Sequence, residues 1–150
     1  VKDPRSRDSN NTTLHKTFPG GHITIVGANS PAPILTTIHS FTPDKATDDE
    51  ARPWQISVCW DRDGRVALPM LVALREEGLT VGENQPYGFE ELPDFTIPEY
   101  GLKRGLPHIL LEIRNDQIRG DKDIKTWAER VALHLTAALG DHAAQRIEYF

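Results

Sequence analysis

The chain has 150 residues, the size of one ordinary domain. Its net charge of −5 gives no general attraction to nucleic acid or an anionic membrane, and no apolar run approaches the roughly 18 residues that span a bilayer. A single cysteine, Cys59, cannot close an internal disulfide, which fits a reducing, cytoplasmic setting.

Residues 1–20 are polar, rich in Asn, Ser, Thr and Arg, and are expected to pack poorly. The PGG at 19–21 signals a turn. HITIVG at 22–27 alternates and carries branched residues, so it reads as a strand, and 28–33 as a loop. ILTTIHS at 34–40 reads as a second strand, with His39 near its end. Residues 42–53 carry Pro43, Pro53, Asp44, Asp48, Asp49 and Glu50, the make-up of a solvated loop.

WQISVCW at 54–60 reads as a third strand, apolar on both faces and so buried between layers. A helical pattern follows through Leu68, Leu71, Val72 and Arg75. Gly78 closes it, and Pro69 is tolerable only in its first turn. LTVG at 79–82 reads as a short strand, 83–98 as loop, 98–104 as a short helix and HILLEIR at 108–114 as the clearest strand in the chain. A final helix is expected over 122–139, capped by Asp121 and ended by Gly140. Ile124, Trp127, Val131, Leu135 and Ala138 form its apolar stripe. Strands alternating with helices predict an α/β fold, a mixed or mostly parallel sheet flanked by helices, with the strands at 34–40, 54–60 and 108–114 as central neighbours.

Polar residues gather where ligands bind in such sheets, at the carboxyl ends of strands: His39-Ser40, Asp61-Arg62-Asp63 and Glu112-Ile113-Arg114. A histidine there is a plausible metal ligand, a nearby carboxylate a general base, and an arginine two residues beyond a strand glutamate shares its face and can grip a carboxylate. Each has a plainer reading. His39 fits a structural hydrogen bond, Glu112 and Arg114 a surface ion pair, and Asp61 and Asp63 a turn and a helix cap. Trp54 and Trp60 read as core, Cys59 as packing, and His134 as a buried or edge histidine. None of the short motifs HExxH, paired CxxC, GxSxG or GxxxxGK[ST] occurs.

The ordered strings IHSFTP (38–43), RPW (52–54), WDRD (60–63), ENQPY (83–87) and RGLPHILLEIRND (104–116) resemble the N-formylglutamate amidohydrolase family over about 34–135. The resemblance implies a carboxypeptidase-like α/β fold, present in part, and hydrolysis of N-formyl-L-glutamate to formate and L-glutamate. It implies a single zinc as cofactor and a small-molecule N-acyl amino acid as partner. His39 is then a metal ligand, Glu112 the base that activates water, and Arg114 a hold on the substrate carboxylate. Asn84 and Tyr87 line the pocket. Tyr100 stands in the TIPEYG block where family members usually carry histidine. Family members are also longer at the N-terminus, and that part carries the other metal ligands. The resemblance therefore implies a fragment with an incomplete zinc site; the alternative is a non-catalytic remnant or composite chain. Residues 6–32 instead resemble a segment of the phage terminase large subunit. That divides the chain into 1–32 and 33–150 and supplies a third reading, a piece of a DNA-packaging motor. With the phosphate-binding loop missing, no ATPase follows from it.

Overall fold

The computed structural model describes the backbone of residues 12–18 and 21–27, and residues 32–44, 51–89, 96–140 and 144–150 with side chains, Leu139 excepted. The readings that fall on 1–11, 19–20, 28–31, 45–50 and 90–95 lie outside the described residues.

Among the described residues six strands form one mixed sheet: β1 (Thr12–Phe18), β2 (Gly21–Gly27), β3 (Ile34–Phe41), β4 (Ile56–Cys59), β5 (Val81–Glu83) and β6 (His108–Arg114), in the order β1-β2-β3-β6-β4-β5. β3 and β6 are parallel, as are β4 and β5, whereas β4 runs antiparallel to β6. The three strands expected at the centre are therefore adjacent.

Within the polar start, residues 12–18 form a strand, β1. Residues 12–18 pair antiparallel with β2 along their whole length. Three threonines, a leucine and a phenylalanine in this stretch favour extended backbone, a signal that the overall polarity of 1–20 hides. β2 in turn pairs with β3, so the sheet is continuous across the 32/33 division.

Two helices cover one face of the sheet. α1 (Ala67–Glu76) buries Ala67, Met70, Leu71 and Leu74. Pro69 lies in its first turn, where no backbone donor is lost, and Gly78, at φ +84°, adopts the left-handed conformation that ends it. α2 (Asp121–Gly140) adds Trp127 and Val131, with Leu135 and Ala138 partly buried. Ile124 departs from the expected stripe: it is half exposed. Against these helices lie Ile34, Ile56, Val58, Ile109, Leu111 and Ile113, the main core.

The opposite face is covered by a single turn of π-helix, Ile97–Gly101, running into a 3-10 turn, Leu102–Arg104. Ile97 and Tyr100 pack there on Leu35, Cys59 and Leu110. Those residues sit toward the amino ends of β3 and β6. The carboxyl ends of the same two strands carry His39, Glu112 and Arg114. Among the described residues no helix is long and apolar enough to cross a membrane.

Candidate active site

Strand register assembles the site. Side chains paired across adjacent strands point to the same face, and every second residue returns to it. On the face opposite the helices this produces successive rows: Leu35 with His108, Thr37 with Leu110 and Cys59, His39 with Glu112 and Ser57, and Phe41 with Arg114. The chain thus places a histidine, a carboxylate and a hydroxyl side by side on three strands. Gly82 extends that row onto β5. A Cβ at Gly82 would stand 3.0 Å from Ser57 Oγ and from Trp54 Cγ, so this position is tight for any larger residue.

Glu112 is buried, 7% exposed, and Ser57 beside it is buried as well. Glu112 Oε1 lies 3.9 Å from His39 Nδ1, whose side chain is 41% exposed. That gap is too long for a direct hydrogen bond, and a third atom can touch both groups. The arrangement is a buried carboxylate beside an exposed imidazole, at the carboxyl ends of β3 and β6.

Arg114, expected to hold a substrate carboxylate, is already engaged. Its Nε and Nη2 donate to the two carboxylate oxygens of Asp116 at 2.7 and 3.1 Å, and Nη1 donates to the carbonyl oxygen of Arg52 at 2.9 Å. The guanidinium holds the Asp116 carboxyl below the usual carboxylate range. Glu112 and Arg114 share a face, but the ion pair forms between Arg114 and Asp116.

Tyr87 lies close to the same region. Its hydroxyl accepts a hydrogen bond from Arg52 Nη2 at 3.0 Å, and the Arg52 guanidinium sits 4.9 Å from the ring centroid. Asn84 is placed differently. It has φ +52°, which asparagine tolerates better than most residues, and its Oδ1 accepts from the Trp60 backbone N–H at 2.9 Å. Its amide oxygen is committed to fastening the end of β4. Tyr100 packs beneath, on the apolar cluster of Leu35, Cys59, Ile97 and Leu110.

Nothing local in the sequence marks Arg52, Ser57 or Asp116 as a site residue. Alternation along WQISVCW sets Ser57 on one face with Cys59, but only the pairing with β6 brings it beside Glu112. Cys59 is fully buried, with Sγ 3.3 Å from Ser57 Oγ. Burial, reinforced by the Glu112 charge and opposed by the Ser57 hydrogen bond, pushes its thiol up to about 11. A neutral thiol is a packing group, not a nucleophile.

A catalytic zinc takes about three protein ligands plus water. Among the described residues no three His, Cys, Asp or Glu side chains stand close enough together to hold a metal. His39 and Glu112 do not by themselves make up such a site.

The profile of the N-formylglutamate amidohydrolase family matches residues 22–119, which takes in β2 as well as the five sequence blocks. Among solved structures, the crystal structure of gene product Atu2144 from Agrobacterium tumefaciens is similar, with a TM-score of 0.63 and 34% sequence identity. The likeness covers 71% of this chain and 40% of that one, so the chain spans less than half the length of this relative. No match is found among curated proteins.

Proposed function

Because this chain belongs to the N-formylglutamate amidohydrolase family, we propose that it carries the water-activating and substrate-facing part of a hydrolase acting on N-formyl-L-glutamate. The observation that carries the reading is the buried Glu112 carboxylate beside the exposed His39 at the carboxyl ends of β3 and β6. In this role Glu112 takes a proton from water, and the resulting hydroxide adds to the formyl carbon. The C–N bond then breaks, and the proton passes to the leaving amine. The products are formate and L-glutamate.

Tyr87, and Arg114 as oriented by Asp116, would face the amino-acid portion of the substrate, and Asn84 would hold the loop that carries Tyr87. His39 would contribute one donor to a zinc site. The described residues do not complete that site. The zinc, when bound, would polarise the substrate carbonyl or the attacking water.

The test pairs binding with turnover. N-formyl-L-glutamate is titrated into the purified chain, with and without zinc, and formate is measured. The parent is expected to bind the ligand. Glu112→Gln is expected to bind it comparably while lowering formate release by about 10²–10⁴-fold, the span of general-base catalysis. His39→Ala is expected to lower zinc affinity. A parent that ignores the ligand at millimolar concentration, or a Glu112→Gln variant that releases formate at the parental rate, overturns the assignment.

A further inference from the structure

Arg52 is the most deeply buried cation beside this site, 4% exposed, and it ties together three segments that carry site residues. Its Nη1 donates to the carbonyl oxygen of Thr42 at 3.3 Å, just past the end of β3 that presents His39. Its backbone N–H donates to the carbonyl oxygen of Pro43 at 3.3 Å, on the same stretch. Nη2 donates to the Tyr87 hydroxyl, with the guanidinium also near the ring. Its own carbonyl oxygen accepts from Arg114 Nη1. One residue thus sets the exit of β3, the ring and hydroxyl of Tyr87, and the side chain at the end of β6.

We propose that Arg52 is a positioning residue, which fixes Tyr87 and Arg114 in the geometry that receives the amino-acid end of an anionic substrate. This rests on the amidohydrolase reading above. The physical case is the planar fork of the guanidinium. It reaches Thr42 and Tyr87 through separate nitrogens at fixed angles while stacking near the ring, which the point charge of lysine cannot reproduce. A tyrosine held at both hydroxyl and ring loses its freedom before the ligand arrives, so the ordering cost falls on folding and not on binding. Arg114 is set in the same way, between Asp116 and the Arg52 carbonyl.

A buried arginine that is only a staple would stabilise the fold and leave ligand affinity untouched. A double-mutant cycle on the whole chain separates the two roles. The affinity for N-formyl-L-glutamate is measured by titration calorimetry for the parent, Arg52→Gln, Tyr87→Phe and the double variant, and thermal midpoints are recorded for each. Arg52→Gln is expected to weaken binding about tenfold or more, and Tyr87→Phe by less. The double variant should bind no worse than Arg52→Gln alone, because the second change removes a group already displaced. Arg52→Lys, which keeps the charge and loses the fork, should fail to restore affinity. Parental affinity in a folded Arg52→Gln or Arg52→Lys, or additive losses in the cycle, would falsify the positioning role. If neither Arg52 variant folds, Tyr87→Phe decides, since unchanged affinity there removes the group through which Arg52 acts. A parent chain without affinity for the ligand sinks the functional reading itself, whereas a parent that binds beside indifferent variants sinks only this inference.

Discussion

Strand β6 has two faces, and they obey different rules. Ile109, Leu111 and Ile113 look toward α1 and α2 and belong to the main core. His108, Leu110, Glu112 and Arg114 alternate with them and look the other way, under a thin cover of two short helical turns at one end and none of that cover at the other. The helix face is chosen by volume and hydrophobicity alone. The site face mixes a buried histidine, a leucine, a buried carboxylate and an arginine that needs an aspartate to hold it. The same seven residues therefore store stability on one side and chemistry on the other, and a substitution should act through one or the other according to its parity.

The largest effect expected from that division is on stability. Leu111 is fully buried among Ile56, Val58 and the helices. Leu111→Ala removes packed volume that rigid neighbours cannot fill, at a cost of about 2–5 kcal/mol. Its neighbour Glu112 faces the other way, and Glu112→Gln is expected to leave the urea midpoint close to the parent's. Urea denaturation of both variants breaks the comparison if Leu111→Ala is tolerated and Glu112→Gln unfolds the chain.

A smaller effect concerns Cys59, on the site face of β4. With its thiol pushed up to about 11 by burial, the thiolate fraction at pH 8 is on the order of one in a thousand. Iodoacetamide at that pH is expected to label the folded chain slowly and the urea-unfolded chain fast, as followed by mass spectrometry. Rapid stoichiometric labelling without denaturant would make Cys59 a reactive group and reopen the question of a nucleophile on this face.

The sequence made the site-bearing strands legible because their signals are local. Alternation, branched residues and the punctuation of Pro69 and Gly78 mark the elements, and HILLEIR alone places Glu112 and Arg114 on one face. What it could not supply was partnership. Ser57 reaches Glu112 only through the antiparallel pairing of β4 with β6, a long-range choice with no local signature. Arg114 turns to Asp116, two residues on, because the chain bends into a 3-10 turn at Asn115–Ile118 and brings that carboxylate back to the guanidinium. Arg52 was visible as part of RPW, but its burial depends on the loops around it. Ile124 shows the converse limit: it has the right period for the apolar stripe of α2, but it lies in the first turn and remains half exposed.

The smallest effect is the most specific test of the site face. His108 is fully buried in the row below Thr37, with Gly101 so near that a Cβ there would stand 3.0 Å from the ring. Its Nδ1 is 2.9 Å from the Leu106 carbonyl oxygen, which makes Nδ1 the protonated nitrogen, and Nε2 has no hydrogen-bond partner among the described residues. Burial lowers its pKa below the ordinary 6.5, against the upward pull of the Leu106 carbonyl and of Asp63 and Asp61; Arg65 adds to the lowering. As pH falls past 6.5 the unfolded chain takes up a proton at this position while the folded chain resists. Stability from this group is therefore complete above 6.5 and is lost as pH falls through the folded value. His108→Phe keeps a ring of similar size and cannot titrate. It gives up the hydrogen bond to Leu106, about 1 kcal/mol at every pH. Urea titrations of both proteins between pH 7.5 and 5 should therefore start with the parent more stable and converge on acidification. Parallel curves would mean that His108 takes its proton as readily when folded as when unfolded, and that this end of the site face is wetter than its packing implies.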